Sequence, residues 1–126
     1  MRYSCIAVMM CSLFFARVGT AQAAESGKTT GRWMIVTAYC SCAKCCGEHA
    51  AGYFASGQRA YWGGVAADWR LLPAGTELEI EGYIGAFRVE DTGRVIKGSR
   101  LDIWMPTHQA AKKFGRQRLW VTINTS

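Results

Sequence analysis

Three aspartates in the C-terminal half of this chain stand beside apolar residues. They are Asp68 in Val65-Ala66-Ala67-Asp68-Trp69-Arg70, Asp91 in Val89-Glu90-Asp91-Thr92-Gly93, and Asp102 in Arg100-Leu101-Asp102-Ile103-Trp104. The whole chain has only nine acidic residues, so three of them in strand-like, partly apolar settings suggest more than solvated decoration. A carboxyl group held in such a setting keeps its proton near neutral pH and can donate it. The chemistry that needs such a donor is the breaking of a glycosidic bond, where a carboxylic acid protonates the leaving oxygen. The competing explanation is structural, since an Asp before Thr-Gly often holds a turn through its side chain and Asp68 could cap a bend. Asp102 fits that explanation least. In a period-two strand, Leu101 and Ile103 face one side while Arg100, Asp102 and Trp104 face the other. A carboxyl, an aromatic plate and a cation on one face suit a sugar ring.

The elements that must position these carboxyls read as short strands. Trp33-Met34-Ile35-Val36 runs into Thr37-Ala38-Tyr39 with β-branched and aromatic enrichment. Residues 77–81 alternate polar and apolar after the turn Pro73-Ala74-Gly75-Thr76, residues 84–90 and 101–105 read as further strands, and residues 119–123 close the chain with clean alternation. One helix is expected over residues 108–114, with Thr107 as N-cap and Gly115 as the stop. Residues 47–64, rich in Gly, Ala and Ser, have no assignable element, and loops of that length usually carry function. Many short strands, one short helix and no βαβ rhythm predict a mainly β fold, a small barrel or sandwich.

The N-terminus reads as a targeting segment. Arg2 precedes a nearly continuous apolar run, and Ala21-Gln22-Ala23 makes a small-x-small cleavage site, the pattern of a secretory signal peptide too short to span a bilayer. The expected organisation is a signal peptide over residues 1–23, a flexible lead-in over 24–31 and one domain over 32–126, with no stable membrane insertion after cleavage. Loss of Arg2 and Arg17 lowers the net charge from +6 to +4. A basic exported protein of the periplasm or cell envelope, or one secreted beyond it, suits a polyanionic wall. Nucleic acid is not expected as a partner, because the aromatics sit at strand spacing with no basic stacking platform among them.

Cleavage would leave Cys40, Cys42, Cys45 and Cys46 of the six cysteines. Exported thiols are commonly oxidised. Adjacent Cys45 and Cys46 make a strained ring, which leaves Cys40–Cys45 with Cys42–Cys46, or Cys40–Cys46 with Cys42–Cys45. The same four residues could instead hold a structural zinc ion, assisted by His49 or His108, although such sites normally take ligands from a second, distant segment. A redox-active pair is the third reading. No cofactor is required for the acid chemistry above.

Seven fragments in order complete the sequence reading. Val36-Thr37-Ala38-Tyr39-Cys40, Ala55-Ser56-Gly57, Gly64-Val65-Ala66-Ala67-Asp68, Leu72-Pro73-Ala74-Gly75-Thr76, Glu90-Asp91-Thr92-Gly93, Ile96-Lys97-Gly98 and Leu101-Asp102-Ile103-Trp104 together resemble the three-aspartate (3D) domain family. The resemblance runs from about residue 36 to 123. It implies a small double-psi β-barrel, similar to the catalytic barrel of membrane-bound lytic transglycosylase A and to stationary-phase survival proteins. The implied activity is cleavage of peptidoglycan glycan strands between N-acetylmuramic acid and N-acetylglucosamine, leaving 1,6-anhydro ends. A non-catalytic wall-binding or wall-loosening barrel is the alternative. Carried over residue by residue, the resemblance makes Asp102 the acid/base, with Asp91 beside it and Asp68 as the third catalytic carboxyl. It makes Thr37, Tyr39, Thr92, Gly93, Lys97 and Trp104 the substrate-binding residues. Two positions depart from the family pattern: Trp69 follows Asp68 where proline is usual, and Arg94 follows Gly93 where a second glycine is usual.

Overall fold

Strand alternation decides the interior. In the computed structural model, which describes residues 27–125, β3 (Glu77–Ile80) and β5 (Arg100–Trp104) bury every second residue. β1 (Lys28–Tyr39) turns Met34 and Val36 inward, and β6 (Gln117–Thr125) does the same with Val121 and Ile123. β2 (Gly64–Ala67) differs in being buried throughout, and β4 (Phe87–Asp91) buries Phe87, Val89 and Glu90. The expected signal peptide and residues 24–26 of the expected lead-in lie outside the described residues. Among those residues, no helix is long and apolar enough to cross a membrane.

The six strands close into a barrel in the order β1-β5-β2-β4-β3-β6. Two neighbouring pairs, β1–β5 and β2–β4, are parallel, and the other four are antiparallel. Met34, Val36, Val65, Leu78, Phe87, Val89, Leu101, Ile103 and Val121 fill the interior from all six strands. Each such side chain is worth about 1.5–3 kcal/mol when fully withdrawn from water. The helix α2 (His108–Phe114) packs against that core through Ala110, Ala111 and Phe114. Thr107 caps it by accepting a hydrogen bond from the Ala110 N–H at 3.1 Å, and Gly115 ends it with φ of 67°.

Three segments differ from the sequence reading. Lys28 to Gly31, expected within the flexible lead-in, extend β1 by pairing with β6 from Thr125 to Thr122; backbone pairing there needs no apolar pattern, so the sequence carries no sign of it. The strand expected to begin at residue 84 begins at Phe87, because Gly82 and Gly85 take φ of 84° and 101° and leave Ile84 wholly exposed in a turn. The cysteine segment forms the short helix α1 (Ala43–Cys46), and within the stretch without an assignable element a 3₁₀ turn at Gly47–His49 leads to a bridge between Tyr53 and Arg59.

Gly64 shows how that stretch is held down. A Cβ at Gly64 would run into the ring of Phe54, which is itself buried and packs edge-on against Tyr61. Gly64→Ala is therefore expected to destabilise the fold by about 1–3 kcal/mol, the usual cost of overpacking. Urea unfolding of the two proteins checks it, and an unchanged midpoint would mean that the ring is free to move.

Candidate active site

Register across the sheet places the carboxyls. Thr37 of β1 pairs with Asp102 of β5, Asp102 pairs with Ala66 of β2, and Ala66 pairs with Asp91 of β4. Four neighbouring strands thus contribute one residue each to a single row. A bulge at Val65/Ala66 sets the last member, because without it Ala66 would face Glu90. The extra residue in β4 lets Glu90 stay buried while Asp91 turns to the same face as Asp102. Ala66, the small residue between them, keeps the two carboxyls from being walled apart.

Asp102 is partly buried, and its Oδ1 accepts a hydrogen bond from the Thr37 hydroxyl at 2.9 Å. Burial pushes its pKa up to about 6; the Thr37 hydrogen bond and the Arg100 charge pull it down, and the charge of Asp91 pushes it further up. Asp91 is fixed by three donors. Ala55 N–H and Thr92 N–H reach Oδ1 at 2.9 Å each, and the Tyr39 hydroxyl donates to Oδ2 at 2.6 Å. Burial, that hydrogen bond and the carboxylate charge together hold the Tyr39 phenol protonated far above its ordinary range. The site therefore joins a carboxyl that titrates near neutrality to one locked as an acceptor.

These groups open into a cleft of about 650 Å³. Tyr39, Asp91, Asp102 and Trp104 form its floor side, and Thr92, Gly93, Arg94, Val95 and Ile96 form one margin. Further wall comes from Glu48, His49, Tyr53, Phe54 and Ala55, residues of the stretch in which the sequence showed no element. Glu90 anchors that wall from beneath. Its carboxylate accepts from Ser56 Oγ at 2.6 Å and Tyr61 OH at 3.0 Å, and it pairs with Arg88 at 3.0 Å. Ser41 joins the lining by accepting from the Trp104 indole N–H at 2.9 Å. Only its position after Tyr39 could have signalled Ser41 in the sequence.

Of the residues expected to bind substrate, Tyr39, Thr92, Gly93 and Trp104 line the cleft. Thr37 lies behind Asp102 and acts on it through the hydrogen bond. Lys97 is a correction: it is exposed and outside the cleft, because Ile96 before it is drawn inward against Gly93. Asp68 is another. It is buried away from the cleft, where Arg70 grips both of its oxygens at 3.0–3.1 Å and Gly98 N–H donates to it at 3.1 Å. The Arg70 guanidinium and the backbone N–H donors hold its carboxyl well below the usual carboxylate range. The departure at Trp69 has a structural reason, since the indole N–H bonds the Asp91 carbonyl at 2.8 Å and braces the end of β4. Arg94 lies exposed at the cleft margin.

The cysteines divide into two sets. Cys40, Cys42 and Cys45 converge with His108, all four ligand atoms lying within 4.8 Å of one another. Cys46 turns away and donates to the Cys40 carbonyl at 3.1 Å. All four thiols are free. Neither of the two-bridge pairings describes this grouping, since each requires Cys46. His49 is on the cleft wall and takes no part in the cluster.

Comparison with known proteins shows the family. The model of the 3D domain family matches residues 63–125, half of the chain. YabE of Bacillus subtilis (strain 168), provisionally named a cell wall shaping protein, is 33% identical over 103 residues, covering 79% of this chain and 25% of YabE. The cell wall-binding protein YocH of the same bacterium is 32% identical over 59 residues, covering 47% of this chain and 20% of YocH. The chain thus spans a quarter or less of the curated relatives it matches. Among solved structures, MltA from Escherichia coli, a lytic transglycosylase, superposes with a TM-score of 0.52 at 23% identity, over 59% of this chain and 28% of MltA. At that identity the likeness is one of fold.

Proposed function

Because the chain belongs to the 3D domain family, we propose that it is a peptidoglycan lytic transglycosylase acting on glycan strands outside the cytoplasm, with Asp102 as its general acid and base. The observation that carries this reading is the place of the Asp102 carboxyl, which lines the cleft beside Asp91 with its Oδ1 held by the Thr37 hydroxyl; burial raises its pKa to about 6. A two-carboxyl hydrolase needs its second group as nucleophile or base, but Asp91 is committed to three donors. A reaction in which the sugar supplies its own nucleophile asks for one such carboxyl only. Neutral Asp102 gives its proton to the glycosidic oxygen as the bond from that oxygen to C1 breaks. The C6 hydroxyl oxygen of the same N-acetylmuramic acid then bonds to C1, and its proton passes to the Asp102 carboxylate. No water is consumed, and the acid is regenerated.

The other residues have supporting roles. Thr37 orients Asp102, and Asp91 favours its neutral form while bracing Tyr39 and the cleft wall. Asp68 acts as a positioning residue, tying the end of β2 to Gly98 just before β5. Trp104 and Tyr53 offer faces to sugar rings, and Arg94 offers a charge to a stem-peptide carboxylate. We read the barrel as the double-psi type, supported by its two separated parallel pairs within an otherwise antiparallel ring. The apolar run and Ala21-Gln22-Ala23 support export through a cleaved signal peptide.

The test is digestion of isolated peptidoglycan by the purified protein, with mass spectrometry of the soluble products. Muropeptides lighter by one water than those from a hydrolase are the expected result. Binding to the wall with no release of anhydro products would instead favour a non-catalytic wall-binding module, the reading supported by the name of YocH.

A further inference from the structure

The cluster beside the cleft is made of metal-ligand types only. Cys40 follows β1 directly, Cys42 and Cys45 bracket the start of α1, and His108 opens α2, more than sixty residues away in sequence. The Sγ atom of Cys40 lies 3.0 Å from that of Cys42 and 3.4 Å from that of Cys45. His108 Nδ1 lies 3.3 Å from Cys45 Sγ, 3.5 Å from Cys42 Sγ and 4.0 Å from Cys40 Sγ. A tetrahedron with ordinary zinc bond lengths has sulfur–sulfur edges of ~3.8 Å and sulfur–nitrogen edges of ~3.6 Å. The three sulfur–nitrogen distances bracket their edge, with one imidazole nitrogen turned toward all three sulfurs, and the two sulfur–sulfur distances are shorter than theirs, so an ion at the centre would spread the Cys40 thiol from its two neighbours by less than about 1 Å.

We propose that Cys40, Cys42, Cys45 and His108 form a closed Cys₃His zinc site that clasps the loop after β1 to the start of α2. Three thiolates and one imidazole select zinc over the hard cations, and four protein ligands leave no open position, which marks a structural site. Binding of the ion sends three thiol protons to the buffer and leaves no redox change to balance. The distant ligand that structural sites require is His108, supplied by the fold. The clasp also bears on the cleft. Ser41 and Cys45, within the metal-bound loop, line it together with Cys46, and Ser41 receives the indole hydrogen bond of Trp104. The ion fixes that corner of the groove without touching Asp102. This proposal does not depend on the reaction assigned above.

The experiment is metal analysis of the purified full chain, followed by exchange with Co²⁺ and absorption spectroscopy. One zinc per chain is expected, and the cobalt form should show sulfur-to-metal charge transfer with intense tetrahedral bands. Cys45→Ser and His108→Ala should weaken Co²⁺ binding at least ~10-fold, the loss that removing a mere outer hydrogen-bond partner of a ligand typically brings. Cys46→Ser should keep both stoichiometry and spectrum, and it also guards against a fold defect common to loop variants. Alkylation in denaturant with a chelator should modify Cys40, Cys42, Cys45 and Cys46 alike. Two bridges and no bound metal would overturn the proposal. So would a cobalt spectrum unchanged in His108→Ala, or loss of the metal in Cys46→Ser equal to that in Cys45→Ser.

Discussion

Asp102→Asn is expected to abolish anhydro-muropeptide release while leaving the protein folded and more stable at alkaline pH. An asparagine keeps the acceptor that Thr37 uses but cannot carry a proton to the glycosidic oxygen. General acid–base catalysis is worth about 10²–10⁴-fold, and because this one group performs both transfers the loss should lie at the upper end. The wild-type rate should also fall as pH rises through about 6, where burial has placed the Asp102 pKa, because the first step needs the neutral acid. Stability follows the same titration. The folded pKa is raised above the unfolded one, so the stabilising proton is fully bound below about pH 4 in either state, and its contribution disappears as pH climbs through 6. At pH 8 the wild type carries a partly desolvated charge that Asn lacks, and the variant should gain about 1–3 kcal/mol there and nothing at pH 4. Thermal melts at the two pH values, beside the muropeptide assay, decide it. An Asn variant that still releases anhydro products would move the acid elsewhere.

Asp91 separates charge from scaffolding. Asp91→Ala removes the acceptor for Ala55 N–H, Thr92 N–H and the Tyr39 hydroxyl together, and hydrogen bonds to charged groups contribute about 1.5–3 kcal/mol each without adding fully. A loss of about 2–4 kcal/mol is expected. Activity should fall about 100-fold as the cleft wall shifts, the scale of loss that a displacement of about 1 Å can bring. Asp91→Asn should keep the fold to within about 1 kcal/mol. Its amide oxygen can take both backbone donors, while the Tyr39 hydroxyl turns to accept from the amide N–H. Without the Asp91 charge the Asp102 pKa drops, so the descending limb of the pH profile should move to lower pH. Equal destabilisation by Asn and Ala, or a limb moved upward, would refute this division of roles.

The sequence disclosed the parts that depend on period two and on residue type. The mainly β character and the facing of Asp102 with Trp104 follow from alternation, and the inward apolar residues of β3, β5 and β6 obey it. What it concealed depends on backbone conformation and tertiary meeting points. Ile84 looks like strand material, yet Gly85 at positive φ turns it outward. The bulge that aims Asp91 has no mark in Val89-Glu90-Asp91. Asp68 and Asp102 have similar apolar neighbours, and what parts them is how a cation two residues away is used: Arg70 folds back onto Asp68, while the charge of Arg100, two residues before Asp102 on the same strand, only tempers it. His108 and His49 were equal candidates beside the cysteines until α2 brought one of them home. Tyr53 and Phe54 belong to a segment whose composition describes a loop but not where the loop lies.

The barrel closes through β1 and β6, whose nine paired positions join Lys28 with Thr125 at one end and Val36 with Gln117 at the other. β6 is thus the partner of β1, and it also covers the free edge of β3. Until it arrives, two strand edges stand unpaired and Met34, Val36, Leu78 and Ile80 lack one wall of their enclosure. Pairings of such long sequence separation form late, and open edges invite association with other chains. The barrel therefore cannot close strand by strand: its seam is made in one event, when β6 pairs with β1 and β3 together.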